Sequence, residues 1–268
     1  MELEIYQVDS FTREAFKGNP AGVCITDNGL TEKLMRLIAD EMAVSETAFL
    51  SLSDMRLRWF TPKAEVSLCG HGTLAVAHVL KEKGLAKEGD RVRFDTLSGA
   101  LTALLSDKGI ELDFPSTLIN SDVTPDPKLL KYLGLKEGEI LSFGCFDSKQ
   151  LIEIDKEKTL LNLSPNFDGL KQLTGRGVLI TAKANSDDLD FISRYFAPWV
   201  GVNEDPVTGS AHCALTLYWS EKSNKTKFKA YQASARGGFI NTEYLSNGRI
   251  KLIGSAVTTI KGVMTVPD

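Results

Sequence analysis

Apolar and polar positions along the chain follow two periods. Runs with strand-like alternation include LEIYQVDSF, AGVCIT, ETAFLSL, MRLRWFT, RVRFDTL, ALTALLS and IELDF. Between Thr31 and Met42 the period changes. Leu34, Met35, Leu37, Ile38 and Met42 recur at helical spacing, and Thr31 stands where a hydroxyl can cap the helix. The segment TLAVAHVLKEKG is apolar almost all round, which predicts a buried helix ended by Gly84. After Phe114 the stretch PSTLINSDVTPDPK, rich in Pro, Ser, Asp and Asn, reads as a connector. Beyond it the pattern resumes.

The resumed pattern repeats the first. RWFTPKAEVSLCGHGTLAVAHVLKEK in the first half aligns with RYFAPWVGVNEDPVTGSAHCALTLYWSEK in the second. Trp59-Phe60-Thr61-Pro62 corresponds to Tyr195-Phe196-Ala197-Pro198, Gly70 to Gly209, and His71 to Ser210. Glu82-Lys83 corresponds to Glu221-Lys222, and DKGIEL to SNGRIKL. By the same logic SDDLDFISRYF is expected to be the partner of the Thr31–Met42 helix. The alternation and the duplication together predict an α+β fold of two pseudo-symmetric halves. Each half is a curved, mostly antiparallel or mixed sheet around one buried helix. Residues 1–116 form the first half, completed by a strand from 256–268, and residues 117–255 form the second. A site is expected in the cleft between them, where the two helix-heading loops meet.

Those loops, CGHG and TGSA, carry the candidate chemistry. A helix start offers N–H groups without intrahelical partners and a partial positive charge, and glycine admits a ligand close to the backbone. Gly70, His71 and Gly72 make one anion cradle; Gly209, Ser210 and Ala211 make the other, with a hydroxyl added. One such loop alone reads as a tight turn. Two duplicated loops heading buried helices read as a site for a small carboxylate.

In VSETAFL, Val44, Glu46, Ala48 and Leu50 share one face of a strand, and Glu46 alone is polar there. Glu46 is then either a rim glutamate in water or a desolvated proton-transfer group with a raised pKa. Asp205, before Pro206 in NEDPVTGS, is either a turn former or a group facing the second cradle. His71 is a donor at the first cradle or a loop-to-backbone contact. His78 reads as a core histidine, and His212 carries little weight.

Composition narrows the classes. The chain has 268 residues, 43% of them hydrophobic, enough for a substantial core. A net charge of -4 carries no basic signature of a nucleic-acid binder. No apolar run approaches the ~20 residues of a membrane span. The alternating start MELEIYQVDSF predicts no signal peptide, so the expected location is the cytosol. The cysteines, Cys24, Cys69, Cys145 and Cys213, are far apart and expected to be reduced. Neither they nor the three histidines have zinc-ligand spacing, so no metal is expected. Cys69 and Cys213 each lie near a helix start, as two thiols exchanging protons at one carbon in a cofactor-independent epimerase would. Their unequal offsets from Gly70 and Gly209 favour packing roles instead.

QVDSFTREAFKGNPAGVC, SETAFL, RWFTPKAEVSLCGHGTLAVAHVL and NEDPVTGSAHCAL, in this order, resemble the PhzF-like isomerases of phenazine biosynthesis, and the resemblance spans essentially the whole chain. It implies the diaminopimelate-epimerase-like fold, with the active site in the cleft between two similar halves, a homodimer, and no cofactor or metal. It implies Glu46 as the catalytic acid/base, with His71 and Asp205 as active-site partners. Ser210 and the backbone of Gly70–Gly72 and Gly209–Ala211 would bind a carboxylate. The implied reaction is an allylic proton shift, known in the family for a dihydro-hydroxyanthranilate. Two further readings stand beside it: the two-cysteine epimerase, and a small-molecule-binding protein without turnover.

Overall fold

The computed structural model describes residues 1–121 and 123–266. They form two compact units, residues 1–114 with 251 onward, and residues 115–250.

In the first unit β1 (Glu2–Ser10) and β2 (Asn19–Thr26) form an antiparallel hairpin with Ser10 opposite Asn19. Helix α1 (Glu32–Met42) crosses over to β3 (Glu46–Ser51), which runs parallel to β2 with Glu46 opposite Ala21. Thr31 caps α1 as expected, its hydroxyl accepting from the Leu34 N–H at 3.3 Å. β4 (Arg56–Phe60) returns antiparallel, with Phe60 opposite Thr47, and pairs with β5 (Glu65–Val66), where Glu65 faces Phe60. Helix α2 (Gly70–Glu82) leads to β6 (Arg91–Thr96), which meets β4 in parallel. β7 (Gly99–Ser106) and β8 (Gly109–Pro115) continue as a meander.

The second unit opens with α3 (Pro127–Leu133) and repeats the plan. β9 (Ile140–Phe146) and β10 (Lys149–Ile154) form the hairpin. Short helices α4 (Glu157–Leu161) and α5 (Phe167–Lys171) cross over to β11 (Val178–Lys183), parallel to β10. β12 (Phe191–Ala197) returns with Phe196 opposite Val178, and β13 (Val202–Asp205) places Glu204 opposite Phe196. Helix α6 (Gly209–Ser223) leads to β14 (Lys227–Gln232), parallel to β12, and β15 (Gly238–Leu245) pairs with β14. After β16 (Arg249–Gly254), β17 (Ala256–Thr265) pairs along β1 in the first unit. The last two residues of the expected 256–268 strand lie outside the described residues.

The expected duplication is therefore present strand for strand, and the α+β class with it. One expectation fails. SDDLDFISRYF is not a helix: its apolar end is β12. The counterparts of α1 are α4 and α5. Successive residues of β10, β11 and β12 enter opposite cores. Ile152, Ile180, Ile192 and Phe196 pack with α3, α4 and α5; Leu151, Leu179, Phe191 and Tyr195 pack with α6. A strand buried on both faces shows no alternation, so its apolar run imitates a helix. Among the described residues no helix is long and apolar enough to cross a membrane.

Candidate active site

The start of α2 gathers the first unit's polar groups. Cys69 is the extended N-cap residue, and its sulfur accepts from the Gly72 N–H at 3.4 Å. The thiol thus fills a role usually held by Ser or Asp. Gly72 has no room for a side chain, because a Cβ would lie 2.9 Å from the Trp59 ring and 3.0 Å from Cys69 Sγ. The expected first cradle is therefore narrower than its glycines suggest, since one of its amides is already occupied.

His71 lies in the first turn of α2 and is buried. Its Nε2 is 3.2 Å from Glu46 Oε2 and 3.4 Å from Ser45 Oγ. Its Nδ1 is 3.5 Å from Asn19 Nδ2, and the ring nitrogens are 3.6 and 3.9 Å from Cys69 Sγ. Ser10 Oγ donates to the His71 carbonyl at 2.8 Å, tying the helix start to the β1–β2 hairpin. Glu46, the first residue of β3, keeps 22% of its side chain exposed, so the pair is buried at the imidazole and open at the carboxylate.

Burial alone would raise the Glu46 pKa, as the sequence pattern suggests. The hydrogen bond and charge of His71, with the Ser45 hydroxyl, outweigh burial and hold it below its ordinary value. Burial likewise opposes an imidazolium at His71, but Cys69 and Glu46 outweigh it, and the pKa lies well above its ordinary value. Burial also pushes the Cys69 thiol up. Of these two neighbours, Glu46 makes the closer contact, 3.2 Å from Nε2. The lowered pKa of Glu46 and the raised pKa of His71 both favour a carboxylate–imidazolium pair.

The second unit differs at the matching place. Thr208 is the N-cap of α6, yet its side chain does not cap the helix. The hydroxyl donates instead to the Asp205 carboxylate. Buried Gln232 locks the same loop, accepting from the Thr208 N–H at 2.9 Å and donating to the Asp205 carbonyl at 2.7 Å. Asp205 thus braces the approach to α6 and leaves the first-turn amides uncapped. Ser210 is exposed, with Lys149 Nζ 3.4 Å from its hydroxyl. Burial lowers the Lys149 pKa. Ala211 turns its side chain into the α6 core, so its backbone alone can serve a ligand.

The remaining candidates have structural partners. Buried His212 holds its Nδ1 2.9 Å from the Thr208 carbonyl, and burial lowers its pKa to about 4. His78 is half-buried and paired with Glu82 at 3.3 Å rather than enclosed in the core. Cys213 is buried, its pKa pushed up to about 12. Glu204, beside Asp205, forms a two-pronged pair with Arg194 at 2.7 and 2.9 Å. Sequence reasoning missed Ser10, Asn19 and Ser45 around His71, and Lys149 and Gln232 around the second loop. No spacing pattern links them to their partners. Pairing between distant strands does.

The chain matches the phenazine biosynthesis-like protein family, PhzC-PhzF, over residues 8–262. It is 48% identical to a Halalkalibacterium halodurans protein named as an uncharacterized isomerase, over 97% of this chain and 98% of that protein. A Pseudomonas aeruginosa protein of the same description is 44% identical over 98% of this chain and 99% of its own length. The crystal structure of a PhzF-family phenazine biosynthesis protein from Enterococcus faecalis superposes with a TM-score of 0.92 at 38% identity, covering 99% of this chain and 100% of that one. The chain belongs to the phenazine-biosynthesis-like PhzC-PhzF family and, with it, to the isomerases.

Proposed function

We propose that the protein isomerises a small carboxylate-bearing metabolite by moving a proton between two carbons, with Glu46 as the acid/base. The 3.2 Å contact between Glu46 and His71 carries this reading. The Glu46 carboxylate takes a proton from a C–H bond of the substrate. The electron pair left behind shifts through the adjacent π-system, and a proton returns at the far carbon from Glu46 itself or from His71. The His71 imidazolium keeps the carboxylate ionised before the step and in place during it. Ser210, Lys149 and the uncapped first turn of α6 supply donors suited to a substrate carboxylate. Asp205 acts through them, as a positioning residue that holds Thr208 and the loop.

The same geometry counts against a two-thiol epimerase. Cys69 and Cys213 are both buried with raised pKa values, so neither supplies the thiolate that such chemistry needs. The substrate class is tested by incubating the protein with a panel of carboxylates in deuterated water and following C–H exchange by NMR. A carboxylate that gains deuterium and rearranges is the expected result. Carboxylates that bind without any exchange would make this a binding protein and overturn the proposal.

A further inference from the structure

Ser10 and Asn19 stand opposite each other at the end of the β1–β2 hairpin, and both reach His71. Ser10 Oγ donates to the His71 carbonyl at 2.8 Å, and the Asn19 amide stands 3.5 Å from Nδ1. One hairpin end thus holds both the backbone and the ring of a residue on α2. We propose that Asn19 is a positioning residue for His71: its amide oxygen accepts the Nδ1 proton, so that the ring presents Nε2 and its proton to Glu46.

An imidazolium carries a proton on both ring nitrogens and has no lone pair left to accept with. The charge favoured at His71 therefore leaves two N–H groups to satisfy in a buried site. Nε2 has Glu46 Oε2 at 3.2 Å. Asn19 and Cys69 are the neighbours of Nδ1. The Cys69 sulfur is 3.6 Å from Nδ1 and 3.9 Å from Nε2, so it lies beside the ring, off the line of either N–H bond. It also accepts already from the Gly72 N–H. An amide has a donor end and an acceptor end of nearly one shape, and the partner decides which end faces it. Facing an N–H, Asn19 turns its oxygen inward.

The chain around Asn19 puts the amide there. Asn19 is fully buried as the first residue of β2. Gly18 before it has φ +65°, and a Cβ there would lie 2.1 Å from the Ser10 carbonyl oxygen, so glycine is what lets the chain turn in this closely. The acceptor is also neutral. A second carboxylate at Nδ1 would compete with Glu46 for the charge on the ring, whereas an amide orients the ring and leaves that charge directed at Glu46. The benefit to turnover rests on the proposed function; the hydrogen bond at Nδ1 does not.

The test needs no substrate. Protein labelled with 15N-histidine reports both ring nitrogens of His71 by NMR through a pH titration. Glu46 from β3 and Cys69 from the start of α2 are the titratable groups facing the ring; Ser10, Ser45 and Asn19 do not titrate. In Asn19→Leu the His71 midpoint should fall by about one pH unit, the worth of one hydrogen bond to a charged group. The Nδ1 proton should exchange with water about tenfold faster, while the Nε2 proton keeps its rate. An unchanged midpoint overturns the proposal, and so does a rise, which would make Asn19 a donor to Nδ1. Should Asn19→Leu fail to fold, Asn19→Asp decides alone. A charged acceptor at Nδ1 should raise the midpoint and move the Nδ1 proton downfield, and an unmoved Nδ1 proton overturns the proposal. On a confirmed substrate, Asn19→Leu should lower kcat with KM nearly unchanged. A lost Nδ1 hydrogen bond with kcat unaffected leaves Asn19 at Nδ1 and overturns the part given to His71 in supporting Glu46.

Discussion

The two units are built on one plan and differ where α2 and α6 begin. Arg58 grips Glu65 at 2.8 and 2.6 Å above the Phe60 ring, and Arg194 grips Glu204 at 2.7 and 2.9 Å above Phe196. Both guanidinium carbons stand 4.9 Å from their ring centroids. Thr73 and His212 occupy matching places, and each reaches back to the carbonyl four residues earlier. What both units keep is architecture. What only one keeps is where chemistry is to be sought. The strand registers align Thr47 with Val178, and so Glu46 with Gly177. Where the first unit has its carboxylate, a Cβ on Gly177 would lie 2.1 Å from the Tyr195 hydroxyl oxygen. Cys69, which caps α2, matches Thr208, which leaves α6 uncapped. His71 matches Ser210. One unit holds a proton-transfer pair; the other offers an open set of donors.

The comparison breaks most visibly at Glu46. Glu46→Gln keeps the shape and removes the base, so turnover on a confirmed substrate should fall by about 10²–10⁴-fold, read by steady-state kinetics. A loss confined to KM would move the acid/base elsewhere.

The shared brace should behave as structure in both units. Arg194→Ala should cost about 3 kcal/mol in urea unfolding, because it strands a partly buried glutamate and two carbonyls, those of Leu160 and Leu163. Arg58→Ala should cost less, about 1–2 kcal/mol, since its further partner Glu32 is exposed. An Arg58 variant more damaging than the Arg194 variant would contradict this account of the brace.

A smaller effect follows from protonation. The raised pKa of His71 makes its charge stabilising below the ordinary value of 6.5, and that contribution fades as pH climbs through the raised value. The lowered pKa of Glu46 contributes above the ordinary 4.5 and fades as pH falls through the lowered value. The stability gap between the parent and Glu46→Gln should be flat between those limits and shrink outside them. His71 in the variant should also titrate at lower pH by NMR. An unmoved His71 would mean that the two groups are not coupled.

The smallest change is expected at Ser210. Ser210→Ala removes one hydroxyl of a donor set, worth about 1 kcal/mol, so KM should rise several-fold with kcat nearly unchanged. An effect on kcat alone would assign Ser210 to the chemical step.

The duplicated plan was legible because both copies keep RWF/RYF and a small-residue helix start. The Thr31 cap and the apolar helix α2 were legible for the same local reasons. β12 was not, because burial on both faces erases the alternation that marks a strand. Glu46 stood out as the lone polar residue on its face, but its partner could not be read from spacing. His71, in the first turn of α2, meets Glu46 at the first residue of β3, 25 positions earlier in the chain. Of the two sequence readings of Glu46, the raised pKa does not hold, because burial is visible in the pattern and His71 beside it is not. Cys69, whose offset favours packing over the two-thiol reading, caps α2.

The central claim is that proton transfer belongs to Glu46 and not to its neighbours. It is tested most directly by deuterium exchange at the substrate's C–H position, comparing the parent with Glu46→Gln under conditions where both bind the substrate. The account predicts exchange in the parent and none above background in the variant. Undiminished exchange in Glu46→Gln would contradict it.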